Sequence, residues 1–232
     1  MGVVKLLHGS DHIIEAPEYA VGNPHNDYGQ GFYCTETDEM AREWACKKNT
    51  DGFVSVYDFD DTGLMTLNLM DDSHTVLNWI ALLLKYRTFK LETELSVDAR
   101  EYIIRRFSAD LSKVDVVIGY RADDSYFQYA QAFVENALSL RGLSLALRFG
   151  KLGKQTAIIS EKGFKRLTFL EAYPADKNVY YPKYISRDIR ARETYRKETG
   201  RGKTYRDDIF VLDILREEMK DDDPRIQRIL SE

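Results

Sequence analysis

Residues 27–35 read Asp-Tyr-Gly-Gln-Gly-Phe-Tyr-Cys-Thr, and residues 7–10 read Leu-His-Gly-Ser. The earlier stretch ends an apolar strand with a histidine, a glycine and a hydroxyl. The later stretch is a Gly-x-Gly turn followed at once by two aromatic residues. These patterns predict two short strands that lie side by side. We expect their polar and aromatic groups to form a pocket for a flat, polar heteroaromatic ring.

The bulk composition indicates a globular protein with ample core-forming material. The chain has 232 residues, of which 44% are hydrophobic, and a net charge of −5, which gives no attraction to nucleic acid or anionic membranes. Its start is too polar for a signal peptide, and the apolar run at 76–84 is far shorter than the roughly 20 residues that span a bilayer. Two cysteines, Cys34 and Cys46, fit a reducing compartment and show no zinc spacing. We expect a cytoplasmic protein without a metal.

Hydrophobic periodicity predicts an α+β fold in which strands and helices alternate unevenly. Thr35 and Asp38 have the spacing of a capping box ahead of a helix that ends near Lys48. A doubly wound nucleotide-binding fold is disfavoured because Gly29 and Gly31 lack the third glycine and no helix follows them directly. The other predicted helices cover residues 75–89, 98–107 and 124–140, and residues 143–149 are predicted as a short helix or an extended piece. The predicted strands cover 3–7, 32–35, 53–59, 64–69, 114–119, 154–160 and 168–173.

The composition changes after Pro174, where a helical, basic extension is predicted. Acidic residues interleave with its basic ones, so a solvated helix face with intrahelical ion pairs is favoured over a nucleic-acid surface. Tyr195 and Tyr205 could stack on bases, which keeps the second interpretation open. The basic residues are Arg187, Arg190, Arg192, Arg196, Lys197, Arg201, Lys203 and Arg206.

Two motifs resemble those of a known enzyme class. Residues 8–10 resemble the first motif of ADP-ribosyltransferases of the diphtheria-toxin and PARP-like branch, and residues 29–35 resemble the second. Residues 27–33, 43–45, 118–124 and 155–162 also resemble DUF3990, a bacterial family of unknown function, within a span of about 3 to 173. The resemblance implies a split antiparallel β-sheet core with flanking helices over residues 1–174, followed by the extension over 175–232.

The resemblance also implies roles in cleaving the nicotinamide–ribose bond of NAD. A histidine can hydrogen-bond a ribose hydroxyl, a glycine backbone can pair with the carboxamide, and a tyrosine face can stack on the leaving ring. The implied catalytic residues are His8, Tyr33 and Gln155. The implied cofactor-binding residues are Gly9, Ser10, Gly29, Gly31, Phe32 and Asp123.

Each of these residues also has a purely structural interpretation. A histidine beside a turn is usually a satisfied structural group, glycines at 29 and 31 suit a turn, and Phe32 and Tyr33 suit a core. The two motifs together, in order and at a separation that lets two strands pair, favour the pocket.

The third motif departs from the pattern of the active enzymes. Those enzymes place a glutamate on a later strand, where its carboxylate stabilises the charge that develops on the ribose. The strand at 154–160 offers the uncharged Gln155 instead. Asp123 and Asp124 are alternative acids, although one of them suits the N-cap of the next helix. Glu161 is a weaker candidate because it lies beyond the end of the strand.

These observations predict an NAD-dependent mono-ADP-ribosyltransferase or NAD glycohydrolase. The family resemblance adds a role as the toxin of a toxin–antitoxin pair, with an antitoxin protein as partner and an acceptor of unspecified class. The alternatives are a non-catalytic module that binds NAD or ADP-ribose, and an interaction protein with a vestigial pocket. The substitution Gln155→Glu is expected to raise turnover if the site is built like those that carry glutamate.

Overall fold

A computed structural model describes residues 2–122, 124–150, 153–199 and 205–231 of the chain. It shows a mixed α+β protein with two β-sheets, as the uneven alternation of predicted elements indicated. The strands are β1 Val3–Ser10, β2 Phe32–Cys34, β3 Gly52–Asp60, β4 Thr66–Asn68, β5 Val116–Tyr120, β6 Lys154–Ile158 and β7 Leu167–Ala175. The helices are α1 Asp38–Ala45, α2 Val76–Tyr86, α3 Glu94–Phe107, α4 Asp124–Val134, α5 Leu140–Gly150, α6 Glu161–Phe164, α7 Lys177–Thr199, α8 Val211–Arg216 and α9 Pro224–Ser231.

The chain forms two compact units, each assembled from several segments. The sheet unit comprises residues 1–68, 110–119 and 153–187, and the helical unit comprises residues 69–109, 120–152 and 188–232. The sequence predicted a boundary at residue 174 between a domain and its helical extension. That boundary stays a prediction.

The sheet unit contains a three-stranded antiparallel sheet, β1-β3-β7, and a four-stranded sheet, β2-β6-β5-β4. The β2–β6 pair is antiparallel, whereas the β4–β5 pair is parallel, so the expectation of antiparallel sheets throughout is wrong for this pair. The physical reason is the long connection from β4 to β5, which is the kind of crossover that parallel neighbours require. An isolated bridge between Leu7 and Thr35 joins β1 to the end of β2.

The apolar core of the sheet unit lies where residues of the two sheets meet. It includes Leu6, Phe32, Cys34, Tyr57, Phe59, Val116, Ile158 and Phe164. Helix α1 packs on the other face of β1 and β3, where Ala41 contacts Leu7, Val54 and Val56. Alternation along β1 therefore sends Leu6 and His8 toward the core and Leu7 and Gly9 toward α1.

Helix α1 differs from its prediction at both ends. Its N-cap is Thr37, whose side chain makes no capping hydrogen bond, and the helix ends at Ala45. The hydroxyl of Thr35 accepts a hydrogen bond from the Thr37 backbone N–H at 3.2 Å, outside the helix. The predicted capping box is therefore wrong, because the pairing of Thr35 with Leu7 keeps that residue in extended conformation.

The helical unit is built around α2, an almost fully buried helix. Thr75 caps α2 together with Asn78, and Thr93 caps α3 together with Ser96, by side-chain hydrogen bonds to the opposite backbone N–H groups. The helix predicted over 124–140 ends earlier, at Val134 of α4, because the chain turns at Asn136 in a left-handed conformation, with φ of 60°. Helix α5 covers the segment predicted separately at 143–149. No helix in the described parts of the chain is both long and apolar enough to cross a membrane.

Candidate functional site

His8 is bound to the second motif through the backbone. Its Nδ1 lies 2.7 Å from the carbonyl oxygen of Tyr33, and its ring stacks on Phe32 with 4.3 Å between ring centroids. Because a carbonyl oxygen only accepts hydrogen bonds, Nδ1 carries the proton and Nε2 of the neutral ring carries a lone pair. The histidine can therefore accept a hydrogen bond from a ligand hydroxyl at Nε2 while Nδ1 stays engaged.

Gly9 lies just beyond the point where β1 and β2 are joined. Both backbone groups of Leu7 bond Thr35, at 2.8 and 2.9 Å, on the edge of β1 that faces away from β3. Strand alternation directs the N–H and C=O of Gly9 to that same edge, two residues past the bridge. A main-chain donor and acceptor at this place match the two hydrogen bonds that a carboxamide group makes.

The Gly-x-Gly turn holds Tyr33 in place. Gly29 has a φ of 83°, a conformation that favours glycine, and its carbonyl accepts a 2.7 Å hydrogen bond from the Tyr33 hydroxyl. The same hydroxyl accepts from the N–H of Tyr28 at 3.0 Å. At Gly31 a Cβ would approach the carbonyl oxygen of Ile158 to 2.8 Å. The phenol is therefore fixed by the turn, and its ring is the part of Tyr33 suited to contact a ligand.

Gln155 lies on the same sheet face as Tyr33. The antiparallel register pairs Tyr33 with Ala157 and Cys34 with Thr156, so alternation puts Tyr33, Ala157 and Gln155 on one face. His8 and Phe32 belong to the opposite, core-facing side, and the Nδ1 bond to Tyr33 joins the two sides at the strand edge. The structure thus joins His8 to Tyr33 and puts Gln155 on the sheet face of Tyr33, so the three residues are divided between the two faces of β2.

Asp27 is the acidic residue that the sequence analysis missed. Its carboxylate accepts a 2.7 Å hydrogen bond from Nε2 of Gln155, and both residues are buried, with 5% and 4% of their surface exposed. The signal was the position of Asp27 at the head of the Gly-x-Gly turn, but its partner is 128 residues away in sequence. The structure therefore places a carboxylate next to the glutamine of the third motif.

The other candidates lie in less enclosed surroundings or outside the described residues. Ser10 donates a 2.6 Å hydrogen bond to the carbonyl of His12, and Glu161 pairs with Lys165 on the surface. Asp123 lies outside the described residues, as does the side chain of Asp124. The structure adds no evidence on these two acids.

The segment between the two motifs, residues 11–26, contains no helix or strand. The amide of Gln30 donates to the carbonyls of Ala20 and Gly22, at 2.6 and 2.8 Å. Tyr19 meets the ring of Phe164 edge-on at 5.6 Å. A residue of the Gly-x-Gly turn therefore holds this segment beside the candidate site.

The basic residues of α7 that the structure describes are used in part within the protein. Arg187 makes two hydrogen bonds to the buried Glu43, of 2.8 and 2.7 Å, and Arg192 pairs with Asp188 one turn earlier. This agrees with the predicted intrahelical pairs for Arg192, while Arg187 serves a contact within the sheet unit. Arg201 and Lys203 lie outside the described residues.

The two tyrosines considered for base stacking also have partners in the chain. Tyr195 lies against Tyr129 with 4.7 Å between ring centroids, and the guanidinium of Arg141 lies 5.3 Å from the ring centroid of Tyr205. These contacts lie within the helical unit. They favour a structural role for both rings over nucleic-acid binding.

Protonation of His8 is expected to destabilise the fold. Burial lowers the pKa of His8 below its ordinary value of about 6.5, the bond to Tyr33 opposes this, and the positive charge of His12 adds to it. The unfolded chain then binds more protons below pH 6.5, so this stabilisation is complete above that pH and is lost as pH falls toward the lowered pKa. Urea unfolding of the wild type and of His8→Asn between pH 5 and 8 measures it. Asparagine keeps a donor near Nδ1, and we expect the wild type to lose more stability on acidification; equal losses would contradict the assignment.

A protein-family model matches most of the chain. The model of the family described as "Protein of unknown function (DUF3990)" matches residues 4–169, which include both motifs and Gln155. Among curated proteins and among solved structures, no match was found.

Proposed function

The chain belongs to the DUF3990 family, and we propose that it cleaves the nicotinamide–ribose bond of NAD, as a mono-ADP-ribosyltransferase or an NAD glycohydrolase. In this reaction the bond between ribose C1′ and the nicotinamide nitrogen breaks, and its electron pair leaves with neutral nicotinamide. The oxocarbenium-like ribose carbon then accepts a nucleophile, either water or an acceptor group, which loses a proton. The protein must orient the ribose, hold the leaving ring and stabilise the developing positive charge.

The observation that carries the proposal is the bond from His8 Nδ1 to the Tyr33 carbonyl. It ties the two motifs together and fixes the tautomer in which Nε2 accepts a hydrogen bond, as contact with a ribose hydroxyl requires. The edge-facing backbone of Gly9 suits the carboxamide, and the ring of Tyr33, held by its hydroxyl, suits stacking on nicotinamide.

A second candidate is a module that binds NAD or ADP-ribose without turnover. The observation that favours it is the uncharged side chain at position 155, whose amide is engaged with Asp27. An interaction protein with a vestigial pocket is the third possibility. The toxin role and an antitoxin partner rest on the family resemblance alone, so they are parts of the proposal that need their own tests, and the acceptor stays of unspecified class.

The purified protein is expected to release nicotinamide from NAD, and His8→Asn is expected to slow this release. Asparagine can keep the donor to the Tyr33 carbonyl but has no counterpart of Nε2, so the contact to the ribose is lost while the structural bond stays. We expect kcat/KM to fall by about tenfold to 100-fold, the value of one good hydrogen bond to a reacting ligand. Chromatographic detection of nicotinamide measures it, and His12→Asn, on an exposed residue nearby, is the matched control.

The outcomes separate the three functions. Release that falls in His8→Asn and not in His12→Asn supports the enzyme. A thermal shift with NAD that His8→Asn weakens, without any release, supports the binding module. If the protein shows no nicotinamide release and no thermal shift with NAD, both pocket functions are excluded and the interaction protein remains.

A further inference from the structure

Asp27 has an unusual place for a carboxylate. Only 5% of its surface is exposed, and its Oδ2 accepts a hydrogen bond from Nε2 of Gln155. Gln155 lies on β6 and is buried to the same degree. A neutral asparagine could accept the same hydrogen bond, but only an acid brings a negative charge to the side-chain amide of Gln155.

The neighbours of Asp27 belong to the candidate site. The next residue, Tyr28, donates its backbone N–H to the Tyr33 hydroxyl, and Gln155 shares a sheet face with Tyr33. Asp27 thus precedes Tyr28, whose backbone holds the ring of Tyr33. It is also hydrogen-bonded to Gln155, the residue in the position of the third motif.

The geometry of an amide connects these groups. When Nε2 of Gln155 donates to Asp27, the side-chain oxygen Oε1 lies on the other branch of the same planar group. A negative charge at the NH₂ end polarises the amide and makes its oxygen a stronger acceptor, because hydrogen bonds in series reinforce one another in a medium of low dielectric. The pair therefore acts like a glutamate at position 155, except that the charge lies on Asp27 and reaches the site through the side-chain amide of Gln155.

We propose that Asp27 supplies, through the side-chain amide of Gln155, the negative charge that stabilises the oxocarbenium-like ribose. Asp27 is a positioning residue, since it acts through Gln155, and the inference rests on the proposed function. In the step concerned, the electron pair of the C1′–nicotinamide bond leaves with nicotinamide, and the ribose gains positive charge until water adds and releases a proton. Asp27 stays a carboxylate and Gln155 keeps its amide protons throughout.

A charge-exchange experiment on the full-length protein tests this. Asp27→Asn keeps an acceptor for Gln155 but removes the charge, and we expect kcat for nicotinamide release to fall about 100-fold to 1,000-fold, as for other losses of transition-state electrostatics. The double variant Asp27→Asn with Gln155→Glu moves the charge to position 155 and keeps the hydrogen bond with its direction reversed. We expect it to recover kcat to within about tenfold of the wild type.

The single variant Gln155→Glu puts two carboxylates at the 2.7 Å contact, where they share one proton and carry the same total charge as the wild-type pair. We therefore expect its turnover to stay within about threefold of the wild type. The sequence alone predicted an increase, and the contact with Asp27 changes that expectation. The matched control is Asp115→Asn, because Asp115 is another buried carboxylate of the sheet unit, bonded to Ser160 and to the backbone of Met65. It is expected to lower the melting temperature and leave kcat unchanged.

The readouts distinguish a charge effect from a packing effect. A fall in kcat for Asp27→Asn at unchanged melting temperature, with recovery in the double variant, supports the inference. An unchanged kcat in Asp27→Asn, no recovery in the double variant, or a rise above tenfold in Gln155→Glu overturns it and leaves the proposed function intact. A wild type that binds NAD without releasing nicotinamide removes the proposed enzyme and this inference together.

Discussion

Replacing Arg187 by methionine is expected to lower the free energy of unfolding by about 3–5 kcal/mol. Arg187 is bound to Glu43 by two parallel hydrogen bonds, and the Glu43 side chain is only 2% exposed. Methionine retains most of the apolar stem but leaves the carboxylate buried without these two donors. The loss is large because an uncompensated buried charge costs more than the intact ion pair contributes.

Chemical denaturation at neutral pH measures this loss, and the chain provides a matched control on the same helix. Lys183 pairs with Glu39 at 2.6 Å, but both side chains are about half exposed, so Lys183→Met is expected to cost less than about 1 kcal/mol. The double variant Arg187→Met with Glu43→Met is expected to recover most of the stability. Equal effects of the two single variants would show that Glu43 is accessible to water.

This contrast bears on the basic segment of α7. From the sequence, the arginines and lysines of residues 187–206 are equivalent, because composition does not show which of them has a buried partner. Arg187 and Arg192 have acidic partners, and only the first has one that is distant in sequence. A nucleic-acid surface would have to be built from the remaining basic residues. The structure therefore weakens that interpretation without reference to any ligand.

The fold was predictable where the signal is local. Alternation identified β3, and the run of apolar residues identified α2. Predictions failed where a tertiary contact overrides a local preference. The pairing of Thr35 with Leu7 keeps that threonine out of a cap, and the helix predicted to run to residue 140 ends at Val134, before the left-handed Asn136.

The candidate site shows the same division. The contact between the two motifs could be anticipated only in part, because a single bridge joins Leu7 to Thr35 while β1 and β2 belong to different sheets. The partner of Gln155 could not, because Asp27 meets it only when β2 pairs with β6. The sequence offered Asp123 and Asp124 by their motif and Glu161 by its position after the strand. The acid that contacts Gln155 comes from the opposite end of the domain sequence.

Gly9→Ala is expected to destabilise the sheet unit by about 3 kcal/mol or more, or to prevent folding. A Cβ at Gly9 would lie 2.0 Å from the carbonyl oxygen of Ala41 and 2.8 Å from the backbone nitrogen of Ala45. Both atoms belong to the main chain of α1, so no side-chain rotation relieves the overlap, and the helix must move off β1. The smaller unfolded-state entropy of alanine offsets only about 0.4–1 kcal/mol.

Thermal unfolding of Gly9→Ala beside Gly2→Ala tests this, because a Cβ at Gly2 meets no atom within 4 Å. We expect a large fall in melting temperature for the first variant and almost none for the second. Similar melting temperatures would mean that α1 does not rest on β1 as described. The close approach of α1 requires glycine at position 9 for packing alone, so a loss of NAD cleavage in Gly9→Ala would not by itself assign the carboxamide contact to this backbone. That assignment requires a ligand-side change: an NAD analogue without the carboxamide should bind the wild type more weakly, while its dependence on His8 persists.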